Sequence, residues 1–109
     1  MFDALEMSLQ FLERLVPVET RIRQRSASLA KQLARASESV ALNLGEGRLR
    51  CDGDKRRHYE MAAGSAAEVT VALRIAVAKR YVPAAEVAEL EALLDRVRAM
   101  LWRLTHHRR

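Results

Sequence analysis

The chain has 109 residues, with 19 Lys or Arg against 14 Asp or Glu, half of them apolar and only 5% aromatic. Four glycines and two prolines are too few for a sandwich or barrel, which needs a turn every 8–12 residues, whereas 18 Ala, 15 Leu, 16 Arg and 10 Glu favour long helices. At this length a single domain spanning residues 1–109 with a modest core is expected. Arg74 interrupts the best apolar run, Val71 to Ala78, so no membrane span or membrane partner is expected. The opening MFDALE lacks a basic leader, and the lone Cys51 has no internal disulfide partner; both suit a reducing cytoplasm.

The first helix begins at Asp3, an N-cap residue type, with Leu5, Leu9, Leu12 and Val16 as its apolar stripe. Pro17 removes a helical donor, which predicts a kink with the helix resuming through Ile22. Arg23 to Ser26 then reads as a turn, with Ser26 or Ser28 capping the second helix. That helix carries Leu29, Leu33, Ala36, Val40, Asn43 and Leu44, flanked by a small-residue stripe of Ala30, Ala34, Ser37 and Ala41. Gly45 and Gly47 bracket Glu46 and predict its C-terminus. Leu49 to Gly53 reads as a polar turn, and Asp52 or Asp54 as the next cap.

The third helix repeats Tyr59, Ala62, Ala66, Val69, Leu73 and Ala76, and Pro83 opens the fourth. The fourth repeats Val87, Leu90, Leu94, Val97, Leu101 and Leu104. Sustained steps of three and four with short connections predict an all-α, antiparallel, up-down four-helix bundle. Leu42, Leu93, Met100 and Trp102 are left over from these stripes, a pattern that predicts an oligomer interface.

Charge is uneven along the chain. Residues 1–20 carry one base and four acids, whereas residues 21–58 carry ten bases and four acids. Arg48, Arg50, Lys55, Arg56 and Arg57 crowd the turn between the second and third helices, and Arg103, His106, His107, Arg108 and Arg109 close the chain. Guanidinium groups pair bidentately with phosphate, so the turn cluster is the candidate nucleic-acid contact; a solvated helix face would read the same way.

Catalytic constellations are missing. No Glu-x-x-His pair suits a di-iron bundle, one cysteine with three histidines gives no zinc spacing, and Gly45-Glu46-Gly47 lacks the rest of a dinucleotide loop. Ser65 follows Gly64 in mid-helix without a strained turn. The chain is therefore expected to be no enzyme, with no catalytic residue, cofactor or metal. Asn43, Glu46, Ser65 and Glu68 instead read as polar residues that fix helix register, with Asn43 and Glu68 meeting across antiparallel helices.

These residues carry a resemblance. Leu29-x-x-Gln32, Arg35-Ala36 and Ser39-Val40-x-x-Asn43-Leu44-Gly45-Glu46-Gly47, followed by Tyr59, Ala62, Gly64-Ser65-x-x-Glu68 and Leu73, are similar to the paired signatures of one bacterial family. It comprises four-helix-bundle proteins encoded within intervening sequences of large-subunit (23S) ribosomal RNA genes. The accessory variability protein of diversity-generating retroelements is a relative. Ala41 stands where the family often has proline, and Gly45 replaces a usual alanine. The resemblance implies a homopentamer arranged as a ring or barrel. For the retroelement branch it implies a basic surface that contacts RNA or DNA and a reverse transcriptase as protein partner; it transfers no active site. Two readings remain: an oligomeric module associated with nucleic acid, and an oligomeric interaction scaffold whose charge only solubilises it.

Overall fold

The computed structural model describes residues 3–106. His107, Arg108 and Arg109, which close the basic C-terminal cluster, lie outside the described residues. Four helices follow one another: α1 (Ala4–Arg25), α2 (Ala27–Arg48), α3 (Asp52–Ala78) and α4 (Ala84–Thr105). Each packs on its neighbours in sequence, and α4 closes back on α1, giving an up-down bundle 45 Å long and about 22 Å across. A 22-residue helix rises roughly 33 Å, so the bundle is little more than one helix long.

Local chemistry sets the ends. Asp3 caps α1 by accepting a hydrogen bond from the Glu6 amide at 3.0 Å. The helix runs through Pro17 to Arg25, three residues past the expected end at Ile22, which is fully buried. The predicted Arg23–Ser26 turn shrinks to one residue. Ser26 donates its amide to the Ile22 carbonyl and accepts from the Leu29 amide at 3.1 Å, ending one helix and capping the next.

The apolar face of α1 differs from the expected stripe. Ala4, Met7, Phe11, Leu15, Val18 and Ile22 are buried, whereas Leu9 and Val16 point outward. α1 is apolar on more than one side, so two sets of residues share helical spacing, and packing against α2 and α4 selects the one that ends in Ile22.

The expected stripes of α2 and α3 are buried apart from half-buried Asn43. Their contact is the closest in the bundle, because Ala30, Ala36, Ala62, Ala66 and Ala76 keep the backbones near one another. The glycines do not stop α2, which continues to Arg48. Gly47 serves another purpose: a Cβ there would stand 2.6 Å from Cε1 of Tyr59, so the absent side chain makes room for the buried ring. Cys51 occupies the N-cap position of α3 without a side-chain hydrogen bond. Asp52 and Asp54 lie inside the first turn and favour it through the helix dipole.

α3 ends in a Schellman turn. The Tyr81 amide reaches back to the Ala76 carbonyl and the Arg80 amide to that of Val77, with Arg80 at φ 62°. Tyr81 then packs against the core beneath the cations of Arg25 and Lys79. Pro83 occupies the N-cap position of α4, whose buried residues are the expected stripe with Leu93 added, except at its end, where Thr105 is inside and Leu104 outside.

Contrary to the expectation drawn from Arg74, α3 is long and apolar enough to cross a bilayer by length and composition. Its alanines and valines supply that hydropathy around Glu68 and Arg74. Here its inward stripe is occupied by packing on α2 and α4.

Candidate nucleic-acid interface

The turn between α2 and α3 gathers the five predicted basic residues at one end of the bundle, next to the start of α1 and the end of α4. Four of them sit in ion pairs. Arg48 reaches Asp3 at 3.5 Å, tying the end of α2 to the start of α1. Arg50 donates twice to one Glu46 oxygen, at 3.2 and 2.8 Å, and lies 3.5 Å from Asp54. Arg57 holds the other Asp54 oxygen at 2.8 Å, and Arg56 pairs with Glu60 at 3.1 Å. All these side chains are substantially exposed.

The electrostatic consequence falls on the carboxylates. The Arg50 hydrogen bond, followed by its charge, holds Glu46 below the ordinary carboxylate value. Arg57 does the same to Asp54, first through its hydrogen bond. Arg50 is correspondingly raised by Glu46. Counting Arg103 from α4, six cations meet Asp3, Glu46, Asp52, Asp54 and Glu60, so the local excess is far smaller than the sequence tally of this region suggests. Lys55 is half-buried and in no ion pair among the described residues. With Tyr59 and Arg103 it lines a cleft of about 570 Å³ between the turn and the end of α4.

The polar residues expected to fix register do meet across α2 and α3, with different partners. Arg35 pairs with Glu68 at 3.2 Å on the surface. One turn on, the Ser39 and Ser65 hydroxyls share a hydrogen bond of 2.8 Å. Asn43 donates its amide to the Ser39 carbonyl and hydroxyl, leaving its oxygen to accept from His58 Nδ1 at 3.0 Å. His58 Nε2 then faces Arg57 as acceptor at 3.3 Å.

The expected Asn43–Glu68 contact does not form, because the register places Glu68 two turns away, beside Arg35. His58, unassigned in the sequence reading, supplies the missing partner. Its signal was the helical step of seven from His58 to Ser65 on the same side of α3. Glu46 points into the basic turn and takes no part in this seam. The arrangement offers hydrogen bonding and helix alignment. Ser65 is bonded to a second serine with no general base on it, and no cluster of three metal-binding side chains occurs among the described residues.

Of the four residues assigned to an oligomer interface, Leu93 is only 5% exposed and belongs to the bundle core, and Met100 is half-buried against that core. The spacing of seven between Leu93 and Met100 widens the apolar face of α4, and that face is turned inward, so these two belong to the bundle rather than to a contact between copies. Leu42 and Trp102 do face outward, at 70% and 60% exposure. They sit on α2 and α4, across the bundle from each other. Met61, Val71 and Ile75 add an outward apolar line on α3 that the sequence reading passed over. The hydrogen bonds at Ser39 and Asn43 set the register so that Leu42 lies level with Met61.

The sequence model of a family described as 23S rRNA-intervening sequence protein matches residues 2–103. A solved protein of unknown function from Bacteroides thetaiotaomicron, assigned to the S23 ribosomal protein family, superposes with a TM-score of 0.88. The two are 18% identical, over 94% of this chain and 98% of the other, a likeness that establishes the shared fold. No curated protein sequence matches the chain.

Proposed function

The chain belongs to the 23S rRNA-intervening sequence protein family, and on that premise we propose that it is a cytoplasmic, non-enzymatic, homopentameric module whose basic end contacts RNA or DNA. Ribosomal RNA or a reverse transcriptase is the partner that the family resemblance supplies. The observation that carries the proposal is the convergence of Arg48, Arg50, Lys55, Arg56, Arg57 and Arg103 at one end of a rigid bundle. A ring would repeat that end five times, so weak phosphate contacts would add through avidity.

The outward apolar line of α3 with Leu42 supports the assembly. Lone exposed apolar residues are ordinary, but Leu42, Met61, Val71 and Ile75 share the outer side of one helix pair. A ring interface of ordinary size would bury roughly 800 Å² per partner there.

The ion pairs favour a second reading. Four of the five turn cations already have carboxylate partners, which suits an oligomeric scaffold that binds no nucleic acid. Changing Arg50, Arg56 and Arg57 to Glu separates the two. The module reading expects nucleic-acid binding to collapse while helicity and oligomeric state persist, since these exposed residues pack little of the core. Binding undiminished by all three changes would remove the turn from the interface.

A further inference from the structure

The C-terminal end of α4 carries an aromatic feature that the phosphate-contact reading leaves unused. Trp102, the only tryptophan in the chain, stacks on His106 with ring centroids 4.2 Å apart and planes 11° from parallel. The imidazole is fixed in place, because Nδ1 donates to the Trp102 carbonyl at 2.9 Å while lying 3.1 Å from the Thr105 hydroxyl. Thr105 is itself buried and bonded to the Leu101 and Trp102 carbonyls, so the stack stands on a rigid last turn. Even so, Trp102 remains 60% exposed.

The surroundings argue against an apolar protein contact. One turn before Trp102 stands Arg98, held by a hydrogen bond to Thr70 of α3 at 3.3 Å; Arg103, next in sequence, lies about 100° round the helix, where it lines the cleft with Lys55 and Tyr59. Neither guanidinium is in an ion pair with a carboxylate among the described residues, unlike the arginines of the α2–α3 turn. Asp95 and Ala99 complete the neighbourhood on α4. Protein interfaces place their aromatic anchors in charge-depleted centres. A preordered aromatic face beside free cations instead matches the requirements of a nucleobase, whose ring stacks while its phosphate meets arginine.

We propose that Trp102, backed by His106, is a stacking platform for an unpaired base of single-stranded RNA or DNA, with Arg98 and Arg103 receiving the flanking phosphates. This rests on the nucleic-acid reading above but names a different contact and a different strand form. Duplex would reach only the arginines, since its bases are already stacked on one another. The α2–α3 turn, which offers no exposed aromatic ring of this kind, would remain a phosphate contact.

Because Trp102 is the sole tryptophan, emission excited selectively from tryptophan reports on this residue alone. The test titrates the intact protein with oligothymidylate, with a duplex of equal length, and with heparin, a polyanion without bases. Labelled-strand anisotropy follows binding in parallel. Quenching by oligothymidylate well beyond that by duplex or heparin is the expected result.

Trp102→Ala should weaken single-strand binding by about 5- to 150-fold, the value of one stacked base, and Trp102→Phe should recover most of it. Duplex binding should change little, and the unchanged melting temperature of an exposed-site variant would show that folding is intact. Oligonucleotide binding with no quenching, or equal quenching by heparin, would overturn the platform while leaving the phosphate reading in place. Fluorescence that shifts on dilution of the protein alone would assign Trp102 to a contact between copies and overturn it too. Quenching that persists after Arg50, Arg56 and Arg57 become Glu would support the platform and sink the turn cluster. Absence of any oligonucleotide binding would end both.

Discussion

Substituting alanine at three helical glycines gives effects of opposite sign, and the geometry says which is which. A Cβ at Gly47 would lie 2.6 and 2.8 Å from two ring carbons of Tyr59, about 1 Å inside ordinary carbon–carbon contact. Tyr59 is only 7% exposed, so its ring has little space to withdraw. Overpacking of this kind costs about 1–3 kcal/mol, against a gain of up to about 1 kcal/mol from replacing glycine in a helix. At Gly45 and Gly64 a Cβ meets nothing within 4 Å, so only the gain of roughly 0.5–1 kcal/mol remains. Gly64→Ala should therefore exceed Gly47→Ala in stability by about 1–3 kcal/mol, a difference in which the propensity gain largely cancels. Urea unfolding followed by circular dichroism measures it, at one fixed protein concentration because association adds to apparent stability. If Gly47→Ala matched Gly64→Ala, the packing of Tyr59 over a bare backbone would be wrong.

The seam between α2 and α3 predicts a contrast: Glu68→Ala, which removes an exposed ion pair with Arg35, should cost less than about 1 kcal/mol, whereas Asn43→Ala should cost about 1–3 kcal/mol by stripping His58 and Ser39 of a half-buried partner. Equal melting temperatures for the two variants would contradict that ranking. Glu46→Gln with Asp54→Asn should strengthen nucleic-acid binding and steepen its salt dependence, because Arg50 and Arg57 lose their carboxylates. Acid should act in the same direction. Both carboxyls are held low in the fold, so their pairing is complete above the ordinary carboxylate value and is lost as pH falls through the depressed one. Light scattering coupled to gel filtration should give five times the 12.3 kDa chain mass and Leu42→Glu a smaller species; a monodisperse monomer at micromolar concentration would refute the ring.

Much of the fold was legible because α2, α3 and α4 each offer one dominant apolar stripe. The second lines on α3 (Met61, Val71, Ile75) and α4 (Leu93, Met100) are shorter than the stripes Tyr59 to Ala76 and Val87 to Leu101, so period alone identifies the buried side. α1 has two such lines, and only the neighbouring helices decide between them. The glycines misled for a different reason. Gly45 and Gly47 resemble a C-cap in sequence, yet the demand for Gly47 comes from Tyr59, twelve residues later on another helix.

The candidate site was legible in composition but not in charge. The arginines of the turn were visible, and so were Asp52 and Asp54 beside them. What a sequence tally cannot show is that Glu46, Glu60 and Asp3 also close on the cluster, one helical turn away or from another helix. His58 escaped because its partner, Asn43, is fifteen residues distant and becomes a neighbour only through antiparallel packing. The wider face that Leu93 and Met100 give α4 is visible in sequence, but whether it meets the bundle or another copy depends on how α4 packs.

The central proposal is that the basic end of this bundle contacts nucleic acid mainly through phosphate. Its most direct test is fluorescence anisotropy with structured RNA, single-stranded RNA and duplex DNA, each titrated at about 50 mM and about 200 mM salt. The account predicts binding at the lower salt that falls steeply at the higher, with a log–log slope of roughly −0.9 per duplex phosphate neutralised. No binding to any of the three at the lower salt would contradict it and leave the oligomeric scaffold in its place.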